Sequence, residues 1–401
     1  MSRIAFFCIP AWGHTNPTVE VVRTLVRQGH QVRYYSFAPF QEKLEDAGAE
    51  VVLCDGFLPP PPSHLDKKVG KDFSALVEMA TDTTLALEDK VCRELMEFQT
   101  DVIVSDSVCF WGKLFAWKLG IPYVCSTTTF AFNLHTARLM KPKPGEMLRT
   151  ILGGARVERK LALLRQHGYP VEKMTDLIQN DNDTDTIVYT SKAFQPMAET
   201  FSERYAFVGP TLPEIPKREE KERPLVYVSM GTVVRGKPAF YRRCVEAFSS
   251  MDVDAVLSVG TDENLAALGP LPGNVQAAAK VDQLAVLAQA DVFLTHCGMN
   301  SSSEAIWCGV PTVLYPQQSE EGAVADRMEE LGLGLRLKNE GHIREAITTA
   351  LTEPAYRERT CAMGETFRSS GGAQRAVEKI LDCIVKTERP WFSSENQGRS
   401  V

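Results

Sequence analysis

Short apolar runs alternate with amphipathic stretches along the first part of the chain, and this alternation constrains the fold more than any other feature. Strands are predicted at residues 4–9, 31–37 and 50–54, with helices at about 17–28 and 39–47 between them. Further strands are predicted at 101–106, 122–126 and 186–190. Alternating strands and helices predict a parallel, doubly wound sheet.

A second series of this kind follows a segment of different composition. Residues 209–224 contain four prolines and a charge run with almost no apolar periodicity, which predicts a linker. Beyond it, strands are predicted at 225–230, 253–259, 291–295 and 310–314. Because 401 residues exceed one ordinary domain, we expect two α/β domains, at 1–208 and 225–371, and a C-terminal helix and tail at 372–401.

Composition excludes some partners. The net charge of −7 argues against nucleic acid or an anionic membrane as the main partner. The ten cysteines show no metal-like spacing and no CxxC, so we interpret them as reduced thiols. No signal peptide is visible, and no apolar run reaches the roughly 20 residues of a membrane span. We therefore expect a cytoplasmic protein.

Residues 295–304, with the sequence THCGMNSSSE, predict a phosphate site. A strand that breaks at Gly298 and leads into a helix places unpaired N–H groups and the positive helix end at one point. The neighbouring His296, and Glu304 one turn inside the helix, favour a nucleotide, since Glu304 can reach a ribose hydroxyl. The alternative is an ordinary helix capped by Asn300 or Ser301.

His14 follows the first strand, at the edge of the sheet where ligands bind. Imidazole has a reference pKa of about 6.5, and a nearby helix N-terminus disfavours its charged form, so the ring can act as a base. Asp106 ends a strand of the same predicted sheet and can orient that ring. The alternatives are that His14 and Asp106 each cap the helix that follows them.

Motifs in both halves of the chain give it a family resemblance. Residues 295–304 resemble the donor signature of the UDP-glycosyltransferase family, and the match continues through GVP at 309–311, YPQQSEE at 315–321 and GLG at 332–334. PAWGHTNP at 10–17 and DSVCFWG at 106–112 also fit the family. The chain is most similar to the bacterial macrolide/flavonoid branch. The resemblance implies the GT-B fold, with two Rossmann-like domains facing a cleft and a last helix that crosses back to the first domain.

The resemblance also implies an inverting mechanism in which His14 is the base and Asp106 its partner. It needs no metal and no cofactor besides the UDP-sugar co-substrate. The implied donor-binding residues lie in the second domain. They are Ser229, Gly231, Thr232, His296, Gly298, Asn300 and Ser301 at the diphosphate, Glu304 at the ribose, Val281 and Gln283 near the base, and Glu320 and Glu321 at the sugar.

Three departures from the family pattern affect the donor. The family has an aromatic residue and a proline before the glutamine at 283, whereas this chain has KVDQ at 280–283. The choice between UDP- and TDP-sugars therefore stays open. Glu321 replaces a glutamine, and an ionised carboxylate only accepts hydrogen bonds. Glucose is therefore the expected sugar of the donor, but the identity of that sugar stays open. Asp326 replaces an asparagine.

The acceptor site is expected in the first domain. An apolar site there would fit a flavonoid, another phenol or a macrolide. As for the oligomeric state, we expect a monomer or weak homodimer. Two other functions stay open: a sugar-nucleotide 2-epimerase and a catalytically silent nucleotide-sugar-binding protein. The candidate acceptor contacts are Trp12, Phe57, Phe110, Trp111, Phe130 and Phe132.

Overall fold

The computed structural model describes residues 1–57, 73–133, 135–136, 144–178, 182–231 and 237–387. The chain divides into two compact units. The first contains Met1–Tyr189, Glu199–Thr211 and the segment from Ala373 onward, and the second contains Thr190–Ala198 and Leu212–Gly372.

The described residues of the first unit form a seven-stranded parallel sheet. Its strands are β1 (Arg3–Phe7), β2 (Gln31–Ser36), β3 (Glu50–Leu53), β4 (Val102–Asp106), β5 (Tyr123–Thr127), β6 (Asp185–Val188) and β7 (Tyr205–Phe207). Their order in the sheet is β3-β2-β1-β4-β5-β6-β7. Its helices are α1 (Trp12–Arg27), α2 (Gln41–Asp46), α3 (Phe73–Glu97), α4 (Phe110–Leu119), α5 (Pro144–Gln166) and α6 (Met174–Ile178).

Strands β1 and β4 bring the N-terminal candidate residues to one edge of this sheet. The strand order reverses at β1, which creates the switch point where doubly wound sheets bind ligands. Phe7 pairs with Ser105, so Asp106 lies one residue beyond this pair. Ile4, Phe6 and Phe7 are buried in the core, which explains why β1 was predicted from its apolar run.

Helix α1 begins five residues before its predicted start at residue 17. The predicted start coincided with Pro17, and proline is common in the first turn of helices because it lacks an N–H. Instead the N–H groups of His14 and Thr15 bond the carbonyl of Ala11, and Pro17 lies inside the helix. Residues 12–16, which lay before the predicted helix, therefore belong to α1.

The described residues of the second unit form a six-stranded parallel sheet. Its strands are β8 (Leu225–Ser229), β9 (Asp254–Ser258), β10 (Val275–Ala278), β11 (Val292–Thr295), β12 (Thr312–Leu314) and β13 (Gly334–Arg336), in the order β10-β9-β8-β11-β12-β13. Its helices are α7 (Pro238–Phe248), α8 (Asp262–Ala266), α9 (Gln283–Gln289), α10 (Met299–Trp307), α11 (Ser319–Glu330), α12 (Ile343–Thr352) and α13 (Pro354–Arg368). The order reverses between β8 and β11.

The segment between the predicted domains is bound to the second unit over part of its length. Arg218 and Lys221 form ion pairs with Asp291, which directly precedes β11. The side chain of Gln289 accepts from the Glu219 N–H and donates to the Lys217 carbonyl, each at 2.8 Å. Residues 217–221 are therefore anchored rather than free.

Two other segments depart from simple chain order. Thr190–Ala198 groups with the second unit, although the predicted boundary lay at residue 208, because Arg327 donates to the carbonyls of Ala193 and Phe194. The last helix, α14 (Gly372–Thr387), packs from Ala373 onward in the first unit. There Lys379 pairs with the buried Asp185 at 2.5 Å.

Candidate active site

His14 and Asp106 form a direct hydrogen bond in the first unit. Helix α1 carries His14 in its first turn, and β4 ends at Asp106. Nδ1 of the ring lies 2.7 Å from Oδ2 of the carboxylate, whose other oxygen accepts from the Val108 N–H at 2.9 Å. Asp106 is only 2% exposed. With the carboxylate holding the Nδ1 proton, a neutral ring has its lone pair on Nε2, as a general base needs.

Thr128 is a polar neighbour of His14 that the sequence analysis missed. It follows β5, the strand beside β4, and its buried hydroxyl lies 3.1 Å from His14 Nδ1. Its position just after a neighbouring strand of the same sheet was the available signal. Nδ1 thus has two polar neighbours, Asp106 and Thr128, which restrict the orientation of the ring.

The candidate acceptor residues occupy different environments. Phe110 and Trp111 belong to the core of the first unit, which leaves them no surface for an acceptor. Trp12 and Phe132 are 38% and 40% exposed, and Phe130 is half-buried. Phe57 ends a short 3₁₀ helix, and its side chain lies outside the described residues.

The β11–α10 connection places backbone donors at the carboxyl end of β11. Gly298 is the N-cap of α10, with no side-chain capping bond, so Asn300 and Ser301 lie inside the first turn rather than capping it. Cys297 adopts a left-handed φ of 68°, and its N–H bonds the Thr295 hydroxyl at 3.1 Å. The first N–H groups of α10 have no partner within the helix, and such groups suit an anion.

His296 packs tightly against two glycines. A Cβ atom would lie 2.4 Å from its Nε2 at Gly231 and 2.6 Å from it at Gly298, and Gly231 also has a φ of +70°. The residue is 8% exposed, and among the described residues its Nδ1 has no hydrogen-bond partner. Burial lowers the pKa of His296, against the opposing effects of the Glu321 charge and the Ser229 backbone. The ring is therefore neutral near neutral pH.

Gln283 and Glu304, proposed for the base and the ribose, lie side by side. The Gln283 amide donates to Glu304 Oε2 at 2.5 Å and to the Ser301 hydroxyl at 3.1 Å. Its carbonyl accepts from the Tyr227 hydroxyl at 3.1 Å. Val281, where the family has the aromatic segment, is half-buried beside these residues in the packing of the second unit.

The remaining candidates lie at the ends of β8 and β12. The hydroxyl of Ser229 accepts from the Gly231 N–H at 3.3 Å, and Thr232 lies outside the described residues. Glu320 is exposed, whereas Glu321 is buried and accepts at one oxygen from the N–H groups of Gln317 and Gln318, at 2.6 and 2.9 Å. Glu321 thereby closes a capping box at the start of α11, a role that the sequence analysis missed.

Three further findings concern an ion pair, metal binding and membrane spanning. Asp326, the third departure from the family pattern, pairs with Arg336 at 2.5 Å. In the part of the chain that the structure describes, no three His, Cys, Asp or Glu side chains come together as a metal site. No described helix combines the length and apolar character needed to cross a membrane.

Comparison with known proteins identifies the family. The family described as Erythromycin biosynthesis protein CIII-like, C-terminal domain, matches residues 242–382. The chain is 32% identical to NDP-glycosyltransferase YjiC of Bacillus subtilis (strain 168), over 96% of this chain and 98% of that protein. It is also 32% identical to demethyllactenocin mycarosyltransferase of Streptomyces fradiae, over 95% and 86% of the two chains.

A solved structure agrees with these relatives. The glycotransferase of kitacinnamycin superposes with a TM-score of 0.82 at 28% identity, covering 95% of this chain and 98% of that one. The two parallel-sheet units are those of the GT-B fold. The chain belongs to the bacterial UDP-glycosyltransferase family and is a hexosyltransferase.

Proposed function

We propose that the protein transfers a hexose, with glucose as the first candidate, from a UDP-sugar to a hydroxyl of a small hydrophobic acceptor, with inversion at the anomeric carbon. The observation that carries this proposal is the 2.7 Å hydrogen bond between His14 Nδ1 and the buried carboxylate of Asp106. A histidine oriented in this way is suited to accept a proton from a hydroxyl group.

The proposed reaction begins when His14 Nε2 takes the proton of the acceptor hydroxyl. The oxygen forms a bond to the anomeric carbon on the face opposite the diphosphate, and the bond from that carbon to the diphosphate oxygen breaks. Asp106 stabilises the imidazolium that forms, which later releases its proton to water. The nucleoside diphosphate leaves with the electron pair, and the N–H groups at the start of α10 stabilise its charge. Neither a metal nor another cofactor takes part.

We propose that the donor binds through Ser229, Gly231, Thr232, Val281, Gln283, His296, Gly298, Asn300, Ser301, Glu304, Glu320 and Glu321. Glu321 holds two backbone N–H groups with one oxygen, which leaves the other to accept from a sugar hydroxyl. We infer that Glu321 alters the choice of sugar. An unchanged preference among UDP-sugars in Glu321→Gln would contradict this inference.

For the acceptor, we propose a flavonoid, another phenol or a macrolide. The Streptomyces fradiae relative is named for transfer of mycarose to demethyllactenocin, which supports a natural-product acceptor. Trp12, Phe130 and Phe132 are the proposed apolar contacts because they keep accessible surface. A phenol, with a pKa of about 10 by analogy with tyrosine, is the easiest hydroxyl for a histidine base to activate.

Mass spectrometry of an acceptor panel tests the proposal. Wild type, His14→Ala and the exposed-histidine control His342→Ala are incubated with UDP-glucose, other UDP-sugars or TDP-glucose. We expect a hexosyl adduct from wild type and the control, and none from His14→Ala.

Two results would favour the alternatives. Binding of a UDP-sugar without any adduct across the panel would favour a silent nucleotide-sugar-binding protein. Conversion of UDP-N-acetylglucosamine without an acceptor would favour a sugar-nucleotide 2-epimerase.

A further inference from the structure

A side-chain hydrogen bond joins Lys237 and Gln317 in the second unit. Nζ of Lys237 donates to the side-chain carbonyl of Gln317. Lys237 precedes α7, which follows β8, and Gln317 follows β12. Because β11 lies between β8 and β12 in the sheet, we infer that this contact lies close to the carboxyl end of β11, which His296 directly follows.

The partners of Lys237 are themselves held in place. Gln317 donates from its side chain to the Tyr315 carbonyl at 2.9 Å and from its backbone to Glu321 at 2.6 Å. The Tyr315 ring stacks on Phe240 with centroids 5.4 Å apart, and the Lys237 ammonium lies 5.7 Å from the Tyr315 centroid. The ammonium is therefore held in one region before any ligand binds, which reduces the entropy lost on binding.

No carboxylate among the described residues forms an ion pair with Lys237. Glu340 is engaged by Arg243 at 3.1 Å and by the Tyr315 hydroxyl at 3.0 Å. One oxygen of Glu321 already accepts from two backbone N–H groups. Within the ranges that the structure describes, the partners of the Lys237 ammonium are an amide and an aromatic ring. A half-buried cation without a carboxylate partner favours an anionic ligand.

Independent features of the same edge also favour an anion. The first N–H groups of α10 lie at the carboxyl end of β11. His296 is more than nine-tenths buried there, and its Nδ1 has no hydrogen-bond partner among the described residues. The Lys237 ammonium, the His296 ring nitrogen and the N-terminus of α10 thus all belong to residues that follow β8 or β11 at the carboxyl edge of the sheet.

We propose that Lys237 binds the diphosphate of the nucleotide-sugar donor and that Gln317 positions its ammonium for this contact. The inference rests on the proposed function because it assigns a further residue to the donor site. It adds a positive charge that the family motifs in the sequence did not point to. In this arrangement the ammonium contributes to the affinity for the diphosphate and not for the nucleoside.

Calorimetric titration with UDP and with uridine tests Lys237 separately from transfer. We expect Lys237→Met to weaken UDP binding about tenfold and to leave uridine binding unchanged, because the lost contact is to a charged group. Its affinity for UDP should also fall less steeply with added salt. Lys237→Arg should retain most of the affinity, and Lys338→Met, an exposed lysine of the same unit, should bind like wild type.

The outcomes separate the two proposals. Equal losses for UDP and uridine in Lys237→Met, or no loss for UDP, would overturn the role of Lys237 alone. Failure of wild type to bind UDP or TDP would overturn the proposed function. If wild type prefers TDP, thymidine replaces uridine in the same comparison.

Discussion

The side chains of Gln283 and Glu304 are hydrogen-bonded to each other, with the amide nitrogen 2.5 Å from the carboxylate oxygen. The same amide nitrogen reaches the Ser301 hydroxyl, and the amide oxygen accepts from Tyr227. Gln283 therefore uses both its donor and its acceptor atoms on the protein. It holds one oxygen of the carboxylate that we propose for the ribose.

This relationship predicts how Glu304→Ala changes nucleotide preference. A carboxylate can accept from both hydroxyls of the UDP ribose but from only one hydroxyl of the TDP deoxyribose. We therefore expect the affinity for UDP to fall about tenfold and that for TDP to fall less. Calorimetry with both nucleotides measures the difference, and equal losses would contradict a ribose contact.

Asp106→Asn should lower kcat by about 10²- to 10⁴-fold, because the amide cannot stabilise an imidazolium or hold the required tautomer. Its affinity for UDP should stay that of wild type, since Asp106 lies in the first unit. Single-turnover rates at saturating donor, together with UDP titration, check both parts. A kcat within a factor of about two of wild type would remove Asp106 from the proposed mechanism.

Thr128→Val should reduce kcat less than Asp106→Asn and change its pH profile, because one of the two contacts at His14 Nδ1 is lost. Valine keeps the shape of threonine without the hydroxyl, whereas Thr128→Ser keeps the hydroxyl and should restore the wild-type profile. We expect a loss of about tenfold in kcat with little change in KM. A loss confined to KM would instead indicate a contact with substrate.

Much of both sheets could be predicted from the sequence because their central strands are buried. Buried parallel strands form continuous apolar runs, and β1, β4, β8 and β11 were predicted on that basis. The short strands β7, β10 and β13 were missed. β10 and β13 are partly exposed and contain polar residues, whereas β7 is buried but has only three residues, too few to be recognised as a strand.

Only some residues of the candidate site could be predicted from the sequence. His14, Asp106 and residues 295–304 follow strands, where motif and position agree. Local sequence could not assign a role to Thr128 or Lys237, because each acts through a contact with a residue more than 75 positions away, although Thr128 does follow a predicted strand. The capping role of Glu321 depends only on neighbouring residues, with Gln318 as the N-cap of α11. The family resemblance instead implied a contact between Glu321 and the sugar.

Gly298→Ala should weaken UDP binding about tenfold by displacing the His296 ring. The backbone φ of −61° at Gly298 suits alanine, so the contact of 2.6 Å between the added Cβ and Nε2 is the main disturbance. We expect a loss of about 1–3 kcal/mol in the free energy of unfolding. Gly322→Ala is the matched control, because no atom lies within 4 Å of its Cβ. Unchanged UDP affinity in Gly298→Ala would contradict a donor role for His296.

The ion pairs at Asp291 predict a stability that depends on pH. Burial alone would raise the pKa of Asp291, but hydrogen bonds from Lys221 and the Leu225 N–H, with the charge of Arg218, lower it. The carboxylate therefore adds stability above the unfolded pKa of about 3.9, and this is lost as the pH falls through the folded value. Asp291→Asn should cost about 1–2 kcal/mol of unfolding free energy near pH 7 and less in acid. Urea denaturation of wild type and Asp291→Asn, near pH 7 and in acid, measures the cost at each pH. A cost that stays constant at low pH would contradict the ion-pair explanation.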